Sequence, residues 1–377
     1  MTSRERMITA FMNRQPDTVP VSPDMSNMVP ARLTGQPFWD IYLYNDPPLE
    51  DAYIEAVKHF GFDGWSDKGV LTVIPCGDGV SSKDRVLRWT DDEILVERIH
   101  RTPAGDLDEV ISFAIADPPT KVRKMVKNLS EDLPRLAYLY PTEFQTDERP
   151  LRRHMEAMGE LGAVGGVVGL PGMTTFVDLF EGGLESATFA YYDQPEEFAK
   201  LVGLVHDYTI AYARALLAAR PDFVLIGASG LLTLQSPAMV RELALPTIQA
   251  LTSMAKEAGI PSHLHSCGKQ SWLVELCATE TDLNSIEPLE EPPMGDCDLA
   301  EIKRNWGHRI ALKGNLHTTR VMLHGTPDQV EEAAKKAMDA AAEGGGFVLS
   351  TGDQCGRDTP DENIFRLVEV ARRYGGY

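Results

Sequence analysis

The chain has 377 residues, of which 43% are hydrophobic, so it is long enough to bury a large core. Its 36 Lys and Arg against 56 Asp and Glu give a formal net charge of −20, and no run of basic residues could follow a phosphate backbone. These features argue against nucleic acids and anionic membranes as partners. The cysteines number 5, an odd count in a long chain, which favours reduced thiols over a disulfide framework.

The N-terminal segment "MTSRERMITAFMNRQPD" carries charges around a short amphipathic stretch and lacks the apolar core of a signal peptide. No segment reaches the roughly 18 apolar residues of a membrane span. We therefore expect a cytoplasmic protein.

Short β-rich runs alternate along the chain with longer segments of helical periodicity. Two of the helices are well marked: residues 194–219 have apolar side chains at helical spacing, and residues 236–259 begin with Ser-Pro and end at glycine. In chain order, the predicted strands are "TVPVSPD", "FDGWSD", "GGVVGL", "DFVLIGAS", "PSHLHSCG", "LNSIEPLE", "IALKGNL" and "GFVLSTG".

A repeated β-then-α order implies parallel strands, and about eight such units favour a closed (β/α)8 TIM barrel over an open doubly wound sheet. We predict one TIM-barrel domain over residues 1–377. Residues 70–145 interrupt the rhythm with alternating residues and Gly-Asp turns, so they predict a β-hairpin and helix subdomain inserted after the second strand.

The strand "PSHLHSC" contains the first candidate site. Side chains alternate across a strand, so His263, His265 and Cys267 share one face, and Cys267 lies at the carboxyl end, where barrel enzymes have their active sites. His263, one pleat deeper, is predicted to pack or to support the site instead of binding metal. Glu287 ends the next strand and is a candidate fourth ligand, with substrate binding and helix capping as open alternatives.

Cys355 is the best candidate for a further ligand, because "FVLSTGDQCGRDTPDENI" places it just after the last predicted strand, at the same mouth. The following helix is marked by Thr359 as N-cap, Pro360 at the first helical position and Glu362 three residues after the cap. An imidazole and two thiolates favour zinc. His265, Cys267 and Cys355 are therefore the predicted metal ligands, and ordinary core packing is the alternative for each of them.

The other cysteines are given no chemical role. Cys277 lies in the helical pattern "SWLVELCATE" and is predicted to pack, and Cys76 and Cys297 lie in Gly/Asp-rich loops without a partner at ligand spacing. The glycine series "GAVGGVVGLPG" fills a strand instead of opening a helix, so it does not predict a nucleotide loop.

At this point the residues resemble a known family. The segments "RERMITAFMNRQPDTVPV", "FEGGLESATFAYYDQPEEFAKLV", "HLHSCG", "IALKGNL" and "GGGFVLSTGDQCGRDTPDENI" are similar to the uroporphyrinogen decarboxylase superfamily, in particular to its zinc-dependent, corrinoid-linked branch, the methylcobamide:coenzyme M methyltransferases. The resemblance covers nearly the whole chain. It implies that His265, Cys267 and Cys355 hold zinc.

The implied activity is transfer of a methyl group between a small thiol, ether, thioether or amine and the cobalt of a corrinoid. The sequence has no corrinoid-binding motif, so the cofactor is expected as free cobalamin or on a partner protein. Two departures from the family stand out: "SPDMSNMVPARLTG" has Arg32 alone where the decarboxylases have an Arg-rich motif, and Asp353-Gln354 are inserted before Cys355. A metal-free decarboxylase and a non-catalytic tetrapyrrole- or metal-binding protein remain the alternatives.

Overall fold

A parallel sheet of seven strands forms the centre of the molecule, in the order β1-β8-β9-β10-β11-β12-β13. The computed structural model describes residues 1–75 and 79–377. The strands are β1 Gly64–Ser66, β2 Thr72–Pro75, β3 Ser81–Trp89, β4 Glu93–Thr102, β5 Gly105–Ala114, β6 Thr120–Arg123, β7 Phe144–Asp147, β8 Gly162–Val168, β9 Phe223–Gly227, β10 Ser262–His265, β11 Ser285–Glu287, β12 Ala311–Leu316 and β13 Phe347–Thr351.

Helices connect the successive parallel strands and pack outside them. They are α1 Ser3–Phe11, α2 Met28–Leu33, α3 Phe38–Tyr42, α4 Leu49–Phe60, α5 Leu129–Leu136, α6 Arg149–Met158, α7 Met173–Leu179, α8 Gly183–Asp193, α9 Pro195–Ala218, α10 Leu231–Leu234, α11 Pro237–Met239, α12 Leu245–Ala258, α13 Ser271–Glu280, α14 Leu299–Trp306, α15 Pro327–Ala341 and α16 Asp361–Tyr374. A 3₁₀ turn spans Gly159–Leu161, and π-helical turns span Val240–Ala244 and Thr318–Leu323. No helix in these ranges is both long and apolar enough to cross a bilayer.

The predicted α/β architecture with parallel strands is confirmed, but seven regular strands form the sheet instead of eight. The first predicted strand, residues 18–24, is reduced to two isolated bridges, a parallel one between Val21 and Leu349 of β13 and an antiparallel one between Thr18 and Gly376. On its other side the amide of Asp63, just before β1, donates to the carbonyl of Val21 over 2.8 Å. The segment around Val21 therefore lies between the two edge strands of the curled sheet. Proline on both sides of it, at residues 20 and 23, limits regular pairing.

Close packing of the strands depends on small residues in β8, whose residues are nearly all buried. A Cβ on Gly165 would lie 2.3 Å from the ring of Phe223, so only glycine fits there. The glycine series therefore serves strand packing, in agreement with the expectation that it is not a nucleotide loop. Cys277 in α13 is fully buried in the main core, as predicted.

Between β1 and β8 the chain forms two antiparallel sheets. One pairs β2 with β7, and the other has the strand order β3-β4-β5-β6. The division into one TIM-barrel domain with an inserted subdomain at residues 70–145 stays a prediction. Cys76, for which no role is predicted, lies outside the described residues.

The start of α16 differs from the prediction. The N-cap is Pro360, not Thr359, and the helix begins at Asp361. Pro360 has φ −61° and ψ 133°, an extended conformation, so it cannot be the first helical residue. The amide of Thr359 instead donates to the carbonyl of Gly356 over 3.0 Å, in a turn that precedes the helix.

Candidate active site

The carboxyl end of β10 presents His265 next to the carboxyl end of β11. The parallel register pairs His265 with Glu287, and the imidazole Nδ1 lies 3.1 Å from Glu287 Oε1. A carboxylate on Nδ1 makes this nitrogen the donor and leaves Nε2 for another partner. His265 Nε2 lies 4.0 Å from Asp353 Oδ1, in the loop after β13.

Glu287 is fully buried, and its charge is balanced by neighbours on both sides. The ammonium of Lys313 in β12, itself buried, donates to Glu287 Oε2. Burial alone would raise the pKa of Glu287, but Lys313 and the two imidazoles of β10 hold this pKa well below its usual value. Burial alone would lower the pKa of His265, but hydrogen bonds with Cys267 and Glu287 raise it well above its usual value.

His263 has the packing and supporting position expected for it. It is fully buried, stacks on Phe11 of α1 with ring centroids 4.7 Å apart, and its Nδ1 lies 2.7 Å from the hydroxyl of Ser285. Its Nε2 is 3.5 Å from Glu287 Oε1. Burial lowers the pKa of His263, which favours the neutral imidazole.

A cavity of about 310 Å³ opens beside these strand ends, at the carboxyl edge of the sheet. Both His265 and Cys267 are on its wall, so these two predicted site residues face one space. The cavity is lined by Asp24, Ser26, Trp65, Asp67, Val167, Leu225, Gly227, Ser229, His265, Cys267, Asp353 and Gln354.

Cys355 is fully buried, and its amide donates to the carbonyl of Asp24 over 2.8 Å. Burial raises the pKa of the Cys355 thiol to about 12. Within the described residues, one group of side chains could hold a metal ion: Asp24, His265 and Asp353, whose donor atoms all lie within 4.8 Å of one another. The ligand set His265, Cys267 and Cys355 stays a prediction. The structure brings its first two members to one cavity and buries the third beside Asp24.

The pair Asp353-Gln354 shapes the mouth of the cavity. Asp353 has a φ of 122°, a region that residues other than glycine rarely adopt, and its carboxylate lies close to His265. Gln354 Oε1 accepts from the amides of Asn27 and Met28 at 3.1 and 3.3 Å, at the beginning of α2. Gln354 thus links the loop after β13 to the loop that precedes α2.

Asp24 is the site residue that the sequence analysis did not single out. It is 5% exposed, its amide donates to Thr351 Oγ1 over 3.0 Å, and burial raises the pKa of its carboxyl group. The available signal was its position at the end of the first predicted strand, "TVPVSPD". Arg32 is not on the cavity wall, because its guanidinium lies 2.5 Å from Asp361 Oδ1.

The family model for uroporphyrinogen decarboxylase matches residues 118–374, more than half of the chain. The chain belongs to the uroporphyrinogen decarboxylase family. The predicted resemblance to this superfamily, with relatives in its methyltransferase branch, is confirmed.

The curated relatives include both kinds of enzyme. The chain is 26% identical to methylcobamide:CoM methyltransferase MtbA of Methanosarcina mazei, over 72% of this chain and 74% of that protein. It is also 26% identical to uroporphyrinogen decarboxylase of Coxiella burnetii, over 48% of this chain and 49% of that enzyme, so it spans about half the length of that relative. A methyltransferase from Methanosarcina mazei has a similar fold, with a TM-score of 0.65 at 18% identity and coverage of 99% of both chains.

Proposed function

We propose that this protein is a zinc-dependent methyltransferase that moves a methyl group between a small substrate and the cobalt of a corrinoid. The observation that carries the proposal is the position of His265. Its Nδ1 is held by Glu287, and its ring lines the cavity beside Cys267. A histidine held this way by a buried carboxylate is typical of metal ligands. The similarity to MtbA supports the same reaction class.

His265, Cys267 and Cys355 would hold the zinc. The chemistry of this donor set fits, because neutral imidazole and thiolate are the ligands that zinc prefers, and three protein ligands leave one position open. Bound there, zinc would acidify a substrate thiol or polarise a methyl donor. Glu287 is already bound by Lys313 and His265, and this supports a role in orienting His265 over the role of fourth ligand.

The other residues of the site would bind and orient the substrate. Trp65 and Leu225 provide an apolar wall, which excludes water from the reacting groups, and Ser26 and Gln354 line the mouth. The corrinoid would reach the mouth as free cobalamin or on a partner protein. We also propose that the enzyme works in the cytoplasm.

A metal-free decarboxylase is the second candidate, because decarboxylases are among the relatives. The cavity wall argues against it. In the described ranges 1–75 and 79–377, the wall has aspartates and no lysine or arginine, whereas binding the propionates of a tetrapyrrole would call for cationic groups.

Metal analysis and a methyl-transfer assay test the proposal. The purified protein should hold about one zinc per chain, and methylcobalamin should be converted to cobalt(I) cobalamin with a thiol acceptor, as its absorption bands report. Cys267→Ser and Cys355→Ser should lose zinc and activity together. Cys277→Ala, which removes a thiol from the core, should keep both.

Two results would contradict this assignment. One is the production of coproporphyrinogen from uroporphyrinogen by the purified protein. The other is full zinc content in both the Cys267 and the Cys355 variants.

A further inference from the structure

The wall of the cavity beside His265 is rich in aspartate. Among the residues that the structure describes, this wall includes three aspartates and no lysine or arginine. Asp67 is neutralised by Lys68, whose Nζ lies 2.5 Å from Oδ1. In the part of the chain that the structure describes, neither Asp24 nor Asp353 forms an ion pair with a lysine or arginine. Two carboxylates are thus available to a ligand in the cavity.

Of these two carboxylates, Asp24 has the greater need of a cationic partner, because it is only 5% exposed to solvent. Its Oδ1 accepts from the amide of Ser26 over 2.9 Å, which offsets only part of the cost of burial. Burying a carboxylate without a cationic partner is costly, because the charge loses its hydration and gains no opposite charge in exchange. A cation in the cavity would provide the missing partner.

Nearby positive charges offset the cost of burying Asp24 only in part, because Lys313 and the imidazole of His265 act on its carboxylate without forming an ion pair with it in the described part of the chain. Lys313 is fully buried, contacts Glu287 and does not line the cavity. A zinc ion bound by one imidazole and two thiolates would be formally neutral. The aspartates therefore dominate the field that a substrate meets.

We propose that the small substrate of this site carries a positive charge, as an aminothiol or its methyl thioether does, and that Asp24 and Asp353 bind its ammonium group. The proposal rests on the proposed function and names its substrate class. The donor atoms of both aspartates lie within 4.8 Å of those of His265, so one small molecule can contact the histidine side and the acidic side of the cavity together. Anionic thiols are disfavoured by the same carboxylates.

Three thiols with the same two-carbon chain and different terminal charges test the preference: cysteamine, 2-mercaptoethanol and 2-mercaptoethanesulfonate, titrated calorimetrically into the zinc-loaded protein. Cysteamine should bind at least about tenfold more tightly than the sulfonate, with the neutral thiol between them. The preference should weaken as salt is added. Equal or tighter binding of the sulfonate would overturn the proposal.

Aspartate variants test whether Asp24 and Asp353 cause the preference for the cationic thiol. Asp353→Asn and Asp24→Asn should each reduce the ratio of the two dissociation constants several-fold, whereas Asp91→Asn, an exposed aspartate of the antiparallel region, should leave it unchanged. Use of both cavity variants guards against misfolding of one. An unchanged ratio in each correctly folded cavity variant would remove the aspartates from substrate binding.

A thiol-free pair, ethylammonium and ethanesulfonate, separates this inference from the proposed function. Preference for ethylammonium without any methyl transfer from methylcobalamin would uphold the cation site and contradict the methyltransferase. Methyl transfer without a preference for ethylammonium would leave the enzyme assignment standing and overturn the inference.

Discussion

Glu287 connects three strands through its side chain. Its carboxylate accepts hydrogen bonds from His265 of β10 and from the ammonium of Lys313 of β12. Its Oε1 also lies 3.5 Å from His263 Nε2. Each of these partners restricts the Glu287 carboxylate from a different direction, and the carboxylate in turn fixes the rotamer of His265. The same contacts keep the Lys313 ammonium, which also lies 4.4 Å from the centre of the Trp65 ring, in place below the cavity.

Glu287→Gln should therefore weaken zinc binding without abolishing it. The amide oxygen can still accept from His265, but the negative charge that strengthens the imidazole is lost, and such changes typically cost about 10- to 100-fold in metal affinity. Competition with a chelator of known affinity measures the change. Glu291→Gln, at a half-buried position whose ion pairs are with exposed cations, is the matched control and should bind zinc like the parent.

The outcome also decides between two roles for Glu287. A variant that retains no zinc even in excess metal would make the carboxylate a structural ligand. A variant with unchanged affinity would leave Glu287 without any part in the metal site.

The antiparallel sheet β3-β4-β5-β6 has its own buried charge. Glu109 of β5 is 4% exposed, lies 2.9 Å from Lys121 Nζ and is 3.6 Å from His100 Nε2. Burial would raise the pKa of Glu109, but these two partners outweigh it and lower the pKa to about 2. A carboxyl group whose pKa is lower in the folded chain stabilises the fold above its unfolded pKa, and this contribution is lost as the pH falls towards 2.

Glu109→Gln should lower the free energy of unfolding at pH 7, and the difference from the parent should shrink between about pH 5 and pH 2. Urea unfolding followed by circular dichroism at several pH values measures it. Asp106→Asn, at an exposed position of the same strand, should show little effect at any pH. A constant difference across the range would mean that packing, and not the ion pairs, accounts for the loss.

At the scale of the whole molecule, Asp63 holds the two ends of the chain against the sheet. It is fully buried, and its Oδ1 accepts from Ser3 and Arg6 of α1, both at 2.7 Å. Its Oδ2 accepts from the amide of Val21 at 2.9 Å and from Arg372 of α16 at 3.0 Å. The irregular segment between β13 and β1 is therefore fixed by side chains where strand pairing is sparse.

Asp63→Asn should destabilise the protein by about 3 kcal/mol, because two arginines lose their buried anionic partner. Thermal unfolding of the parent and the variant measures this change. Asp17→Asn is the matched control, since Asp17 pairs with Arg6 at a more exposed position and should cost about 1 kcal/mol or less. Similar losses in both variants would show that burial does not set the contribution of Asp63.

The sequence by itself determined the elements whose signals are local. The helices that end at Ala218 and Ala258, the parallel strand β9 between them and the packing role of Cys277 follow from periodicity, caps and burial patterns. The placement of His265 at the end of β10 also follows, because alternation along a strand fixes which side chains share a face. Cys267, predicted to lie on the same strand, lies just beyond its end. The sequence likewise predicted that His263 supports the site.

The tertiary structure alone decided which distant residues meet. Asp24 and Asp353 are separated by more than three hundred positions in the chain, and no local pattern predicts that both approach His265. The partnership of Glu287 with Lys313 depends on the register of adjacent strands, which periodicity does not reveal. The first predicted strand is reduced to isolated bridges, and the Asp63 carboxylate accepts from the amide of Val21 in place of a strand partner, a contact that exists only once the chain has folded.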